Sequence, residues 1–196
     1  LPVKLWLKEL EEGALQQAKN LANLPFAFRH IAIMADSHQG YGMPIGGVMT
    51  SPNVIVPNAV GVDIGCGMCS LRTELTEIRT EDLKSVMSLV RKTVPVGFNH
   101  HDKEQDSSWM PDREGEMPIV EEEYESALKQ VGTLGGGNHF IEIQKGSDGY
   151  IWIMIHSGSR NIGYTVAKHY HQKASELNEE KNNEEIPKDL SGFEKG

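Results

Sequence analysis

Asp63 and Cys66 lie three residues apart in the stretch 58–68, which reads N-A-V-G-V-D-I-G-C-G-M. A carboxylate and a thiol presented by a turn rich in glycine (Gly61, Gly65, Gly67) are two metal ligands in need of partners. Two later motifs carry imidazoles. Asn138-His139 follows Gly135-Gly136-Gly137, and His156 opens His156-Ser157-Gly158-Ser159-Arg160. Together they offer one carboxylate, one thiolate and two ring nitrogens. Thiolate with imidazole is a borderline-soft set that suggests zinc, while the carboxylate and open positions would admit manganese or iron. Taken singly, each residue has a bland reading: a buried Cys is a small hydrophobe, an Asp in a glycine-rich turn closes that turn, and a His after a strand is a surface group. Three apolar runs, each delivering a polar group at its end, weigh against all three bland readings holding at once.

The run Gly132-Thr133-Leu134-Gly135-Gly136-Gly137 is a second signal. Glycines let backbone N–H groups approach a phosphate closely. No Gly-Lys-Ser/Thr follows, so this is not a Walker A loop. Arg160 at a helix start has the fork geometry for a phosphate, with a surface ion pair as the ordinary alternative. Cys69 reads as structural. His100 and His101 fall in a polar loop, and His169 and His171 on or beyond a helix face without evident partners.

The elements that must position these groups follow from periodicity. Residues 9–21 predict a helix with Leu10, Ala14, Ala18 and Leu21 on one face. Strands are expected over 31–34, 45–50, 54–56 and 68–73, with the polar turn 35–42 after the first. The apolar residues Ala59, Val60, Val62 and Ile64 are expected to hold the Asp63 loop in the interior. Residues 80–92 predict a helix capped by Thr80, burying Leu83, Val86, Met87 and Val90. Residues 97–118 read as a long loop or mobile segment. Then come a short acidic helix (121–131), strands over 140–143 and 151–155, and a helix over 162–177. Strands and helices mix without a regular βαβ alternation, so the class is α+β.

Bulk properties set outer limits. A chain of 196 residues suffices for a domain with a real core. It has no apolar run near the ~18–20 residues of a membrane span and no secretory signal pattern, and two cysteines make no disulfide framework, so a reduced, cytoplasmic setting is expected. The net charge of −9 opposes a nucleic-acid partner at first sight. The acidity is local, however. Residues 101–126 hold ten acids and two bases and residues 171–196 hold seven and four, leaving eleven acids and thirteen bases elsewhere. The motif-bearing part therefore permits a polyanion partner.

With Asp63-x-x-Cys66, Gly-Gly-Gly-Asn138-His139-Phe140 and His156-Ser-Gly-Ser-Arg160 in this order, the chain resembles the RtcB family of RNA-splicing and repair ligases. The segment 34–47 (M-A-D-S-H-Q-G-Y-G-M-P-I-G-G) is similar to the family's Pro-Asp-x-His-x-Gly-x-Gly, with Ala35 in place of the proline. The wording V-G-V-D-I-G-C-G-M is similar to the bacterial branch, and the match covers roughly residues 1–175. The resemblance implies a mixed-sheet α+β fold with a metal site at strand ends. It implies joining of RNA 3′-phosphate or 2′,3′-cyclic phosphate ends to 5′-hydroxyl ends, with GTP and two manganese ions, through a histidine–GMP adduct passed to the RNA 3′ end. Carried over by residue, Asp63, Cys66, His139 and His156 are metal ligands. Asn138, His139, Phe140, Ile141 and Glu142 contact GMP, and Arg160 serves a phosphate. RNA ends and GTP are the partners, with an activating protein as a further candidate, no membrane, and a monomeric state.

The family's guanylylated histidine and a further histidine ligand lie in a C-terminal motif that this sequence lacks, since no histidine follows His171. The expectation is an N-terminal half, unable to form the GMP adduct alone. Residues 1–177 would be the first part of a single catalytic domain, and the acidic residues 178–196 a mobile segment at a cut. The alternatives are a metal-dependent phosphoesterase, which would use the same donors, and a non-catalytic metal- or RNA-binding module.

Overall fold

The computed structural model describes residues 1–110, 117–181 and 186–194. In chain order the elements are β1 (Val3–Leu5), α1 (Glu12–Ala22), β2 (Phe28–His38), β3 (Ile45–Thr50), β4 (Val54–Ile55), α2 (Pro57–Val60), β5 (Gly67–Arg72), α3 (Thr80–Thr93), α4 (Pro118–Leu128), β6 (Phe140–Lys145), β7 (Ile151–Ser157), α5 (Arg160–Glu180) and β8 (Phe193–Glu194). Short 3-10 turns occupy Ser107–Trp109 and Lys188–Leu190. Helices and mixed sheets make the α+β class expected from the sequence. The chain divides into two compact units, one of Leu1–Val62 with Ala167–Gly196 and one of Asp63–Val166. Among the described residues no helix is long and apolar enough to cross a membrane.

The first unit is organised by apolar burial. Ala14, Ala18 and Leu21 recur at helical spacing on α1 and are fully buried. Ala18 and Leu21 meet Ile31 and Ile33, which alternate on one face of β2. β2 pairs parallel with β1 (Val3↔Ile31, Leu5↔Ile33) and antiparallel with β3. Leu190, also fully buried, joins the same cluster, and β8 pairs with β4 through Ile55↔Phe193. Burying each of the fully covered leucines and isoleucines stabilises by about 1.5–3 kcal/mol.

In the second unit β7 is the centre of an antiparallel sheet ordered β5-β7-β6. Phe140 and Met68 stand directly opposite His156 on the two neighbouring strands. Residues opposite one another project to the same face, so the three share one face. Ile141 and Cys69, opposite Ile155, share the other.

Several sequence expectations need correction. β2 extends to His38, because its ladder with β3 reaches His38↔Ile45 and keeps Asp36 and Ser37 in the strand. The approach to Asp63 is not an interior strand. It is the short helix α2, opened by Pro57 and ended at Gly61 with φ +99°, and Val60 and Val62 are exposed. Helix α3 starts at Thr80, but the residue preceding it is Arg79. Its cap gives no side-chain hydrogen bond, and Arg79 instead forks onto Asp82 at 2.7 and 2.9 Å. None of the four residues expected to be buried on α3 is fully covered, and Val86 is exposed. Periodicity marks an apolar face without saying what covers it. Within the acidic stretch 178–196, Leu190 and Ser191 are fully buried, since one leucine suffices to anchor a short turn. Of the long loop, 111–116 lie outside the described residues, as do 182–185 and 195–196 of the acidic end.

Candidate metal centre

Asp63 and Cys66 sit on the turn leading into β5, closed by Cys66 N–H donating to the Asp63 carbonyl at 3.1 Å. Gly65 in this turn takes φ +83°, a conformation that side chains resist. His139 precedes β6. His156 lies in β7 itself, one residue before its end, rather than beyond the strand as the apolar run implied. Within the second unit these four groups converge. Cys66 Sγ lies 3.2 Å from His156 Nε2 and 4.0 Å from His139 Nε2. His139 Nε2 lies 2.9 Å from Asp63 Oδ2. The two imidazoles meet edge to face, with ring centroids 5.4 Å apart. Among the described residues, Cys66, His139 and His156 form a group whose potential ligand atoms all fall within 4.8 Å of one another.

Hydrogen bonding decides which ring nitrogen is available. His139 Nδ1 lies 3.0 Å from the Leu134 carbonyl oxygen. A carbonyl only accepts, so Nδ1 carries the proton, and Nε2 of the neutral ring is a lone pair. That lone pair faces a carboxylate oxygen and a sulfur. Two acceptors at 2.9 Å are satisfied by a second ring proton or by a cation near them both. His156 differs, for its Nδ1 is buried without a hydrogen-bond partner among the described residues. Glycine is required beside the carboxylate, since a Cβ at Gly158 would overlap both Asp63 oxygens.

The electrostatics match this arrangement. Burial raises the Asp63 carboxyl, but hydrogen bonds to His139 and Cys66, and the positive charge of the His139 ring when both its nitrogens are protonated, outweigh it and hold the group below its ordinary value. Burial, and then the neighbouring Asp63 carboxylate, push the Cys66 thiol up. A divalent cation would reverse the thiol's shift, because coordination deprotonates it.

The remaining sequence candidates are distributed around the four. Phe140 stacks obliquely on His156 at 5.7 Å. Asn138 is exposed beside His139, and Glu142 is exposed further along β6, accepting from Gln144 Nε2 at 2.8 Å. Ile141 points away from them into a cavity of about 550 Å³, which is also lined by Val94, Met110, Ile155, Ile162 and Arg160. Arg160 takes φ +60° at the start of α5. Its Nε donates to Thr133 Oγ1 at 3.0 Å and its terminal Nη2 to the Gly97 carbonyl at 2.8 Å. Sequence reasoning did not find Gln130, Thr133 and Ser157. They carry no metal-ligand or nucleophile signature, and most of their partners are backbone groups, which no motif reports.

Comparison with known proteins gives this geometry a family. The family described as tRNA-splicing ligase RtcB matches residues 17–114 and 110–195. The chain belongs to the RtcB family. It is 38% identical over 215 aligned positions to the RNA-splicing ligase RtcB of Escherichia coli (strain K12), which covers all of this chain and 52% of that protein. It is 32% identical to the tRNA-splicing ligases RtcB of Thermococcus kodakarensis (83% of this chain, 44% of that protein) and Nanoarchaeum equitans (85% and 46%). The chain thus spans about half the length of these curated relatives. Among these three the bacterial protein is the more similar, in keeping with the wording of the Asp63 loop.

Proposed function

We propose that this chain supplies the metal-binding part of an RNA ligase centre. The protein would join RNA ends bearing a 3′-phosphate or 2′,3′-cyclic phosphate to 5′-hydroxyl ends, using manganese and GTP. The observation that carries this reading is the convergence of one ligand atom each from Cys66, His139 and His156 within 4.8 Å, with Asp63 Oδ2 2.9 Å from His139 Nε2, in a member of the RtcB family. The donor set fits a divalent cation on its own chemistry, because an imidazole nitrogen, a carboxylate and a sulfur that becomes a thiolate on coordination face one another. Asp63, Cys66, His139 and His156 would hold the metal. Bound divalent ions would supply positive charge against phosphate oxygens.

The chain's own residues have separable tasks. The Leu134 carbonyl fixes the His139 tautomer and presents Nε2. Asp63 keeps its carboxylate charged. Asn138, exposed next to His139, is available to a nucleotide phosphate, and Phe140 and Glu142 extend that segment. Arg160 retains Nη1 for a phosphate after its other two nitrogens are engaged. The histidine that would accept GMP is expected in the part of the family's length that this chain does not span.

The test uses the intact protein with labelled GTP and manganese. An acid-labile protein–GMP adduct and ligation of a 3′-phosphate end to a 5′-hydroxyl end are expected, and Cys66→Ala or His156→Ala should abolish both. Phosphate release without any adduct would replace the ligase by a phosphoesterase. Full activity in both variants would remove these residues from the centre.

A further inference from the structure

Among the described residues, Gln130 and Thr133 are the buried polar residues of the second unit, only 3% and 6% exposed. Polar groups this deep need partners, and every side-chain hydrogen-bonding atom of the pair that matters here has one. The Gln130 amide donates to the Ser126 carbonyl at 3.2 Å and to Ser126 Oγ at 2.9 Å, and accepts from Asn161 N–H at 3.1 Å. Thr133 Oγ1 donates to the Gln130 carbonyl at 2.6 Å and accepts from Arg160 Nε at 3.0 Å. The bonds close a ring, because Asn161 follows Arg160 in the chain. The ring joins the end of α4 to the start of α5, and the Leu134 peptide leaves it directly.

That peptide is fixed on all sides. Leu134 N–H donates to the Pro95 carbonyl at 2.9 Å, and Gly97 N–H donates to the Gly135 carbonyl at 2.7 Å. Between them the Leu134 carbonyl accepts twice, from His139 Nδ1 at 3.0 Å and from Ser157 Oγ at 3.1 Å. Ser157 immediately follows His156. One carbonyl therefore steadies His139 directly and the segment of His156 through its neighbour. Gly135 is needed at this crossing, since a Cβ there would overlap Arg160 Nη1 and come within 2.8 Å of His139 Nδ1.

We propose that Gln130, Thr133 and Ser157 are positioning residues for the candidate metal centre: their hydrogen bonds hold the Leu134 carbonyl in place, and the carbonyl keeps His139 in the orientation that turns Nε2 toward Asp63 and Cys66. Outer partners of this kind set ligand orientation, and losing one typically costs about 10–100-fold in metal affinity. A merely space-filling role for the pair would leave the ring orientation and the affinity untouched. The proposal rests on the metal-binding reading above, and its test separates the two.

Cobalt(II) is titrated into the full chain, reading the thiolate absorption band, for the wild type, Thr133→Val, Thr133→Ser and Ser157→Ala. In parallel, nitrogen NMR of the chain in EDTA follows the His139 ring N–H. Thr133→Val is expected to weaken cobalt binding about 10-fold and to lose the slowly exchanging Nδ1–H signal, with Thr133→Ser restoring both. Unchanged affinity and an unchanged ring signal in Thr133→Val and Ser157→Ala would overturn the proposal. If the wild type binds no cobalt, the metal reading fails alone. The ring signal then decides: protected in the wild type and lost in Thr133→Val supports positioning, and unprotected in the wild type overturns it. Should Thr133→Val not fold, Ser157→Ala carries the comparison, supporting the proposal if affinity and signal both drop and overturning it if neither moves.

Discussion

The two units solve the problem of holding a sheet in different ways. The first closes β1–β3 over fully buried Leu21, Ile31, Ile33 and Leu190. In the second, the polar residues Gln130 and Thr133 are buried near the candidate centre, and β5 has no covered residue at all. One unit is held by area removed from water, which is tolerant of direction. The other is held near its centre by hydrogen bonds, which are not. Directional contacts suit a place where ring nitrogens must point one way, and apolar burial suits a place that only has to stay folded.

Ways to break that contrast can be ordered by size. Ile33→Ala or Leu190→Ala should lose about 2–5 kcal/mol in denaturant unfolding, because each leaves a cavity in a dry cluster, while metal affinity measured on the folded fraction stays at the wild-type value. A loss of affinity instead would mean that the apolar cluster also shapes the centre. Gly158→Ala should do the reverse. Its methyl would displace the Asp63 carboxylate, so manganese binding by titration should fall at least about 10-fold with little change in the unfolding of the first unit.

Asp63→Asn probes the charge in the metal-free chain. The Asp63 carboxyl is held low in the folded state, so its contribution to stability is present above the unfolded carboxyl's range and is lost as pH falls through the folded one. The variant should flatten the acid limb of a pH–stability curve recorded in EDTA. The same carboxylate pushes the Cys66 thiol up. Stability from Cys66 is therefore present below the ordinary thiol range and fades as pH rises through the shifted value. Asp63→Asn should accordingly speed alkylation of Cys66, followed by mass spectrometry, and an unchanged rate would dismiss the coupling. The smallest effect belongs to Arg72→Leu at the far end of the sheet. That change removes a cation–π contact with Tyr150 at 4.4 Å and a loose pair with Asp148 at 4.0 Å, so it should cost less than about 1 kcal/mol.

The legible part of the fold was the part with periodicity. Ala14, Ala18 and Leu21 announce α1, and the apolar run 151–155 announces β7. That the four side chains of the candidate centre would converge was legible because carboxylate, thiol and imidazole are rare together and stood in glycine-rich motifs. What escaped was whatever depends on a partner far along the chain. Leu83 and Val90 carry a helix's apolar stripe but not the surface meant to cover it. Leu190 sits in a polar stretch, yet finds a pocket made by residues more than a hundred positions earlier. Gln130 reads as the end of a helix and Thr133 as part of a glycine run, until Asn161 and Arg160 are seen to close the ring.

The wholly uncovered strand β5 has a colloidal consequence. It forms one border of its sheet and carries Met68 and Leu71 at 60% and 63% exposure, with Arg72 as its only charged residue. Natural sheets usually guard such borders with lysine, proline or a bulge. Here a net charge of −9 acts at long range, while the unguarded border offers a template for strand addition at contact. Salt, which screens the first and leaves the second, should therefore set how concentrated this chain can be before it associates.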